Sequence, residues 1–331
     1  FHSEDGIRDS VAARGLGDVY KRQVRECADV DMWQDNVPIP RDVFLGKVSD
    51  IEGLYCLLTD TVDKEVLAQA PRLRVVSTMA VGYDHIDVQA CTKRKILVGN
   101  TPGVLTETTA DFAFALLMAA ARRIGEGSEF VKAGHWGAWD PGILLGQDIY
   151  GATLGIIGFG RIGQAVARRA KGFGMRVLVS HAHRVSEEIL RQGGVEQVSF
   201  DQVIMEADFL SLHIPLTENT QHLINQGVFK RMKSTATLIN TSRGKVVDQR
   251  ALYHALKDGQ IACAALDVTA PEPLAAEDLI VALPNCLVVP HIASASVSTR
   301  TKMAIMAVEN LCAGLDGQPL PYCVNPEASE L

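Results

Sequence analysis

The stretch Gly158-Phe159-Gly160-Arg161-Ile162-Gly163 constrains the fold of this chain more than any other. It follows an apolar run at 153–157 that reads as a buried strand, and it opens a helical pattern over 162–173. Glycines at that spacing on a strand-to-helix turn have separate tasks. The first permits the tight turn, the second lets a pyrophosphate approach the backbone, and the third lets helix and strand pack closely. The helix N-terminus adds amide donors for the phosphates. Gly158, Gly160, Arg161, Ile162 and Gly163 are therefore candidate cofactor-binding residues, and the cofactor they imply is a dinucleotide.

The alternation around this turn extends through the second half of the chain. Strands are predicted at 153–157, 176–179, 209–212, 236–239, 262–266 and 286–289, with helices such as 249–258 between them. Six strands with a glycine-rich first turn suffice for a whole dinucleotide-binding domain. A weaker set comes first: strands at 54–58, 74–78 and 96–98, and helices at 63–69 and 87–92. Thr101-Pro102-Gly103 then breaks the chain before a long apolar helix over 107–122 and a loop carrying Trp136 and Trp139. A last helix over 297–313 is expected to cross back to the first domain.

At 331 residues the chain has the length for two domains. The expected fold class is α/β, with two doubly wound parallel-sheet domains. A flavodoxin-like substrate domain takes 24–101 plus 297–331, and a Rossmann cofactor domain takes 102–296. Residues 1–23 show no strand alternation, no helical stripe and no signal-peptide core, and read as a non-native or unstructured segment.

Composition removes several function classes. A net charge of -7 opposes a nucleic-acid surface, which needs a basic field. The longest apolar run, at 112–121, is about half of the ~20 residues a membrane span requires. Seven scattered cysteines without a CxxC pair read as free thiols of a cytoplasmic enzyme, not as a disulfide scaffold or a metal site.

The end of the second cofactor-domain strand selects the cofactor. An acid there holds the ribose 2′-hydroxyl of NAD and repels a 2′-phosphate. This chain runs Ser180-His181-Ala182-His183-Arg184 instead, so His181 and Arg184 favour NADPH. With Arg184 turned to water, the same segment would accept NADH as well.

Three segments at strand carboxyl ends carry candidate chemistry, where ligands bind in open α/β sheets. They are Asn240-Thr241-Ser242-Arg243-Gly244, Asp267-Val268-Thr269-Ala270-Pro271-Glu272-Pro273 and Pro290-His291-Ile292-Ala293-Ser294. Reduction of a 2-keto acid needs a cation to grip the carboxylate and polarise the carbonyl, and Arg243 offers a planar fork. It needs a proton donor, for which His291 has the right chemistry. Glu272 beside His291 would orient the ring and favour its protonated form. Singly, such an arginine is as often a surface charge and such a histidine as often a packed one; the three together are more specific.

These motifs, with Val246-Val247-Asp248, resemble the signatures of the D-isomer-specific 2-hydroxyacid dehydrogenases over about residues 24–321. The segment 268–274 and the tryptophan loop are similar to the eukaryotic glyoxylate/hydroxypyruvate reductase branch of that family. The resemblance implies reduction of small 2-keto acids to D-2-hydroxy acids, with His291 as proton donor, Glu272 as its partner and Arg243 as substrate clamp. It also implies that the amides of Val81 and Gly82 bind the substrate carboxylate and that Asp267 meets the nicotinamide carboxamide. Ser294 and Trp139 would border the substrate, and Thr109, Pro215, Thr241 and Ala293 the cofactor. Trp139 would either select small substrates in a neighbouring subunit or pack a homodimer interface. The chain departs from the family in having Ala293 where glycine is usual, and in showing no first strand before Val24. Phosphoglycerate or D-lactate dehydrogenases, and cofactor-sensing corepressors, share the scaffold and remain alternatives.

Overall fold

A computed structural model of the chain describes residues 9–12, 24–25, 27–33, 35 and 37–330. The chain divides into two compact units: residues 106–294, and residues 1–105 with 295–331. Each is built on one all-parallel sheet.

The strands of the discontinuous unit are β1 (Asp9–Ala12), β2 (Asp29–Met32), β3 (Gly53–Cys56), β4 (Val75–Thr78) and β5 (Leu97–Gly99). Their order is β2-β1-β3-β4-β5, the flavodoxin-like arrangement. Every residue of β3 and β4 is buried, as strands covered by helices on both faces must be. On one face Leu54, Cys56, Val76 and Val98 pack with Phe44, Val66 and Leu67 from the short helices. On the other, Tyr55 and Val75 pack against Met303, Ala307 and Leu311 of the helix Val297–Leu315.

β1 corrects the expectation that no strand precedes Val24. It pairs with β2 and β3 at once, Val11 opposite Asp31 and Leu54. Asp9-Ser10-Val11-Ala12 has one β-branched residue and no run of alternation, so its strand character comes from the ladders on either side. Residues 1–8 and 13–23 of the segment read as non-native lie outside the described residues. The cysteine reading is corrected too: Cys27 and Cys312 form a disulfide, while Cys56, Cys91, Cys263, Cys286 and Cys323 are free. The two partners are 285 residues apart and meet only because the last helix packs on the first sheet. Spacing cannot reveal such a pair.

The second unit holds β6 (Thr153–Ile157), β7 (Arg176–Ser180), β8 (Val195–Gln197), β9 (Phe209–Leu212), β10 (Thr237–Asn240), β11 (Cys263–Leu266) and β12 (Cys286–Val288). Their order β12-β11-β10-β9-β6-β7-β8 is that of a Rossmann sheet, with the reversal at β6 and β9. Alternate side chains divide between two cores. Leu154, Ile156, Val177, Val179 and Phe209 pack on the helices Thr106–Ala121 and Arg161–Gly172, and Ile157, Leu178, Leu210 and Leu238 pack on the opposite face. All strands run in one direction, so their carboxyl ends share one edge of the sheet. β8 is the strand of this unit missed in the sequence, as β2 is in the other: three residues, one of them buried. Among the described residues no helix is long and apolar enough to cross a membrane, and no cluster of side chains could hold a metal ion.

Candidate active site

The glycine turn opens directly from β6. Gly158 holds φ +93°, a left-handed value, and a Cβ added there would lie 2.4 Å from the carbonyl oxygen of His213. A Cβ on Gly163 would lie 2.2 Å from the carbonyl oxygen of Gly158, so strand and helix touch backbone to backbone. Gly160 is the opposite case, exposed and with nothing within 4 Å of an added Cβ. It is also the N-cap of the helix Arg161–Gly172, and no side chain caps that helix. Uncapped amides beside an open glycine form a cradle for an anion.

At the end of β7, the amide of Phe159 donates to His181 Nδ1 at 3.3 Å, tying the second strand back to the glycine turn. Arg184 is exposed and pairs with Glu187 at 3.2 Å. An exposed pair of this kind is worth little, so it offers slight resistance to an incoming phosphate. Pro215 is exposed just beyond β9. Burial pushes the neighbouring His213 imidazole down to about 4, which keeps it neutral and suits a wall better than a proton donor.

β10 ends at Asn240, and its side chain folds the following turn. Asn240 Oδ1 accepts from the amide and the hydroxyl of Ser242, at 3.0 and 2.8 Å, and its Nδ2 donates to the carbonyl of Arg243 at 2.9 Å. Gly244 follows where only glycine fits: an added Cβ would lie 1.8 Å from the carbonyl oxygen of Thr269. The arginine turn therefore lies against the turn that bears Glu272. Thr241 is buried, and its Oγ1 has no hydrogen-bond partner among the described residues.

Glu272 and His291 meet across the next two strand ends. His291 Nδ1 lies 3.0 Å from Glu272 Oε2, and Glu272 Oε1 accepts from the amide of Thr269 at 2.9 Å. Burial opposes ionisation of Glu272. The hydrogen bond and charge of His291, the Thr269 amide and the charge of Arg243 outweigh it and hold the carboxyl below its ordinary range. Glu272 is thus an ionised carboxylate turned on a histidine that keeps 31% of its side-chain surface.

His291 itself has φ +52°, which costs a non-glycine residue roughly 1–2 kcal/mol. Asp267 holds it there. The carbonyl of Asp267 accepts from the amide of His291 at 2.9 Å, and its two carboxylate oxygens accept from the amides of Ile292 and Ala293 at 2.6 and 2.8 Å. Three successive amides are fixed by one residue that is 1% exposed. Resemblance assigned Asp267 to the nicotinamide; within the chain its carboxylate anchors the histidine turn. Ala293 is buried there, and Ser294 beside it is half-buried.

His291, Glu272 and Arg243 are thus brought together, on turns that touch one another. Thr109 is buried on the helix Thr106–Ala121. Trp139 lies in the loop beyond and is 83% exposed. Val81 and Gly82 belong to the other unit. There the carbonyl of Ala80 accepts from the amide of Thr101 at 2.9 Å, and that of Val81 from Asn100 Nδ2 at 2.8 Å. A trans peptide points its N–H opposite to its C=O. The amides of Val81 and Gly82 are therefore turned away from those anchors.

Asn240, Gly244 and Asn100 were not singled out as site residues from the sequence. Asn240 and Gly244 stand inside a motif already marked, but the hydrogen bonds and the close approach that give them a role join residues no spacing rule connects. The chain's residues fit a dinucleotide: the glycine cradle is open at Gly160, and Thr241 presents an orphaned buried hydroxyl.

Residues 114–293 match the sequence profile of the NAD-binding domain of D-isomer specific 2-hydroxyacid dehydrogenases. The chain is 54% identical over 322 residues to a glyoxylate reductase of Korarchaeum cryptofilum, covering 97% of this chain and 95% of that one. Among solved structures, a Thermus thermophilus protein is 42% identical, with a TM-score of 0.89 over 96% of this chain and 99% of its own. An NADPH-dependent glyoxylate/hydroxypyruvate reductase of Sinorhizobium meliloti, solved with NADP and malonate, is 29% identical with a TM-score of 0.84, over 98% of each chain.

Proposed function

The chain belongs to the D-isomer specific 2-hydroxyacid dehydrogenase family, and from that premise we propose that it reduces glyoxylate and hydroxypyruvate to 2-hydroxy acids with NADPH. The observation that carries the reading is the 3.0 Å contact of His291 with an ionised Glu272, on turns that touch the Arg243 turn.

When bound, the reduced nicotinamide supplies the hydride. Everything else falls to the side chains. Arg243 holds the substrate carboxylate and draws electron density toward the keto oxygen. As the carbonyl carbon gains hydride, His291 transfers its proton to that oxygen, giving the hydroxyl. Glu272 keeps the ring oriented through its contact with Nδ1. Gly158, Gly160, Arg161, Ile162 and Gly163 hold the pyrophosphate. Thr109, Pro215, Thr241, Asp267, Ala293 and Ser294 line the nicotinamide and the substrate.

The preference for NADPH is supported by the segment after β7, which has no acid between Ser180 and Arg184 and keeps Arg184 in solvent. A homodimer is supported by the exposed apolar side chains that crowd one stretch of sequence: Trp136 66%, Trp139 83%, Leu145 70% and Tyr150 83% exposed. Trp139 would be buried in such an interface.

Loss of absorbance at 340 nm with glyoxylate, comparing NADPH with NADH, tests the reading. Wild type is expected to turn over faster with NADPH, and His291→Ala to lose roughly 10²–10⁴-fold in kcat. Full activity in the variant would remove His291 from the chemistry.

A further inference from the structure

We propose that Asn240 is the positioning residue for Arg243, fixing the turn on which the substrate clamp stands; this rests on the reading of Arg243 as that clamp. Its place on the strand makes it suitable. Asn240 is the last residue of β10, and its carbonyl accepts from the amide of Asp267 at 2.9 Å, so its backbone belongs to the rigid sheet. Its side chain is 1% exposed and turned onto the chain just ahead.

The three side-chain bonds are specific to an amide. Oδ1 accepts twice, from the amide and hydroxyl of Ser242, using both of its lone pairs. Nδ2 donates to the carbonyl of Arg243 at 2.9 Å. No other side chain of this size offers an acceptor and a donor in one plane. Aspartate is isosteric, but it would set a second oxygen against the Arg243 carbonyl and leave that carbonyl without its donor. Leucine and alanine would leave several buried polar groups unsatisfied.

The other side of the arginine is fixed independently. Gly244 lies against Thr269, and Arg243 Nη1 donates to the carbonyl of Ser242 at 2.8 Å, folding the guanidinium over the same turn. Asn240 before and Gly244 after leave Arg243 little freedom beyond its side-chain rotamers. That suits a group required to meet a carboxylate with both arms, where a displacement of about 1 Å costs on the order of a hundredfold in rate.

The test compares wild type, Asn240→Asp, Ser242→Ala, Arg243→Ala and the double variant Asn240→Asp/Arg243→Ala. Steady-state kinetics with glyoxylate are read beside two binding measurements: NADPH, by fluorescence, and oxalate on the NADP-loaded enzyme, by calorimetry. Asn240→Asp is expected to lower kcat/KM for glyoxylate by roughly a hundredfold and to weaken oxalate in step, with NADPH affinity unchanged. In the Arg243→Ala background it should cost nothing further, because a positioning residue acts only through what it positions. Ser242→Ala removes one bond of the three and should show the same pattern at smaller size.

An equal loss with and without Arg243 would overturn the proposal, as would a loss of NADPH affinity in step with activity. Should Asn240→Asp fail to fold, Ser242→Ala decides: wild-type kinetics and oxalate binding in that variant would also overturn it. Wild type without turnover, but with oxalate binding that depends on both Asn240 and Arg243, would sink the proposed reaction and leave this inference standing.

Discussion

Glu272 shows how a single carboxylate is tuned by its neighbours. The fold favours its ionised form, so the stability it contributes is fully present above the ordinary glutamate range and is lost only as pH falls through its depressed value. Activity should follow the same sign. The kcat/KM of the wild type is expected to hold as pH falls toward about 4.3, the unperturbed glutamate value, with no decline attributable to Glu272 above it. Glu272→Gln keeps the shape but removes the carboxylate that faces His291 Nδ1, and should lower kcat by roughly tenfold to a hundredfold. A pH–rate profile of both proteins checks this; an acid limb centred above the ordinary glutamate range and absent from Glu272→Gln would refute it. His291 shows the complementary device: a left-handed backbone held by three amide bonds to Asp267. Residue type and order sufficed to nominate His291, Glu272 and Arg243, because each follows a strand and chemistry demands those groups. The anchors that hold them were not legible. Asp267 was marked for the cofactor; that its carboxylate also accepts from the main-chain amides of Ile292 and Ala293 could not be read, because any sequence possesses such amides.

The elements that carry the site are turns at strand ends, and their mutual contact is set by glycine. Gly244→Ala would drive a methyl group into the carbonyl of Thr269, with backbone on both sides and no flexible side chain to yield. The variant should be destabilised by roughly 1–3 kcal/mol or more, with activity falling further than stability because Arg243 and Glu272 are displaced together. Urea unfolding beside glyoxylate kinetics would decide it, and a variant of wild-type stability would show that the two turns can separate. At this scale the sequence was informative where strands are buried on both sides. β6 and β9 agree with their predicted limits to the residue, since short, mostly apolar runs mark them. β1 and β8 have no such run. The pairing that makes them strands is supplied by neighbours 18 or more residues away, and periodicity reads only what is local.

Over the whole molecule, the second unit is one uninterrupted length of chain, 106–294, which in sequence separates the two parts of the other unit. The disulfide between Cys27 and Cys312 joins those two parts to each other. Together, backbone and disulfide close a covalent ring from Cys27 to Cys312, and residues 106–294 are wholly part of it. A single proteolytic cut anywhere on that ring opens it without dividing it. A protease that clips once in the exposed stretch 135–145 should therefore yield one band on a non-reducing gel and two after addition of a thiol. Two bands without thiol would mean that Cys27 and Cys312 are not joined. With the ring closed, a nicked molecule cannot lose half of itself: the pieces are tethered at high effective concentration, and damage to the loop need not be dissociation of the enzyme.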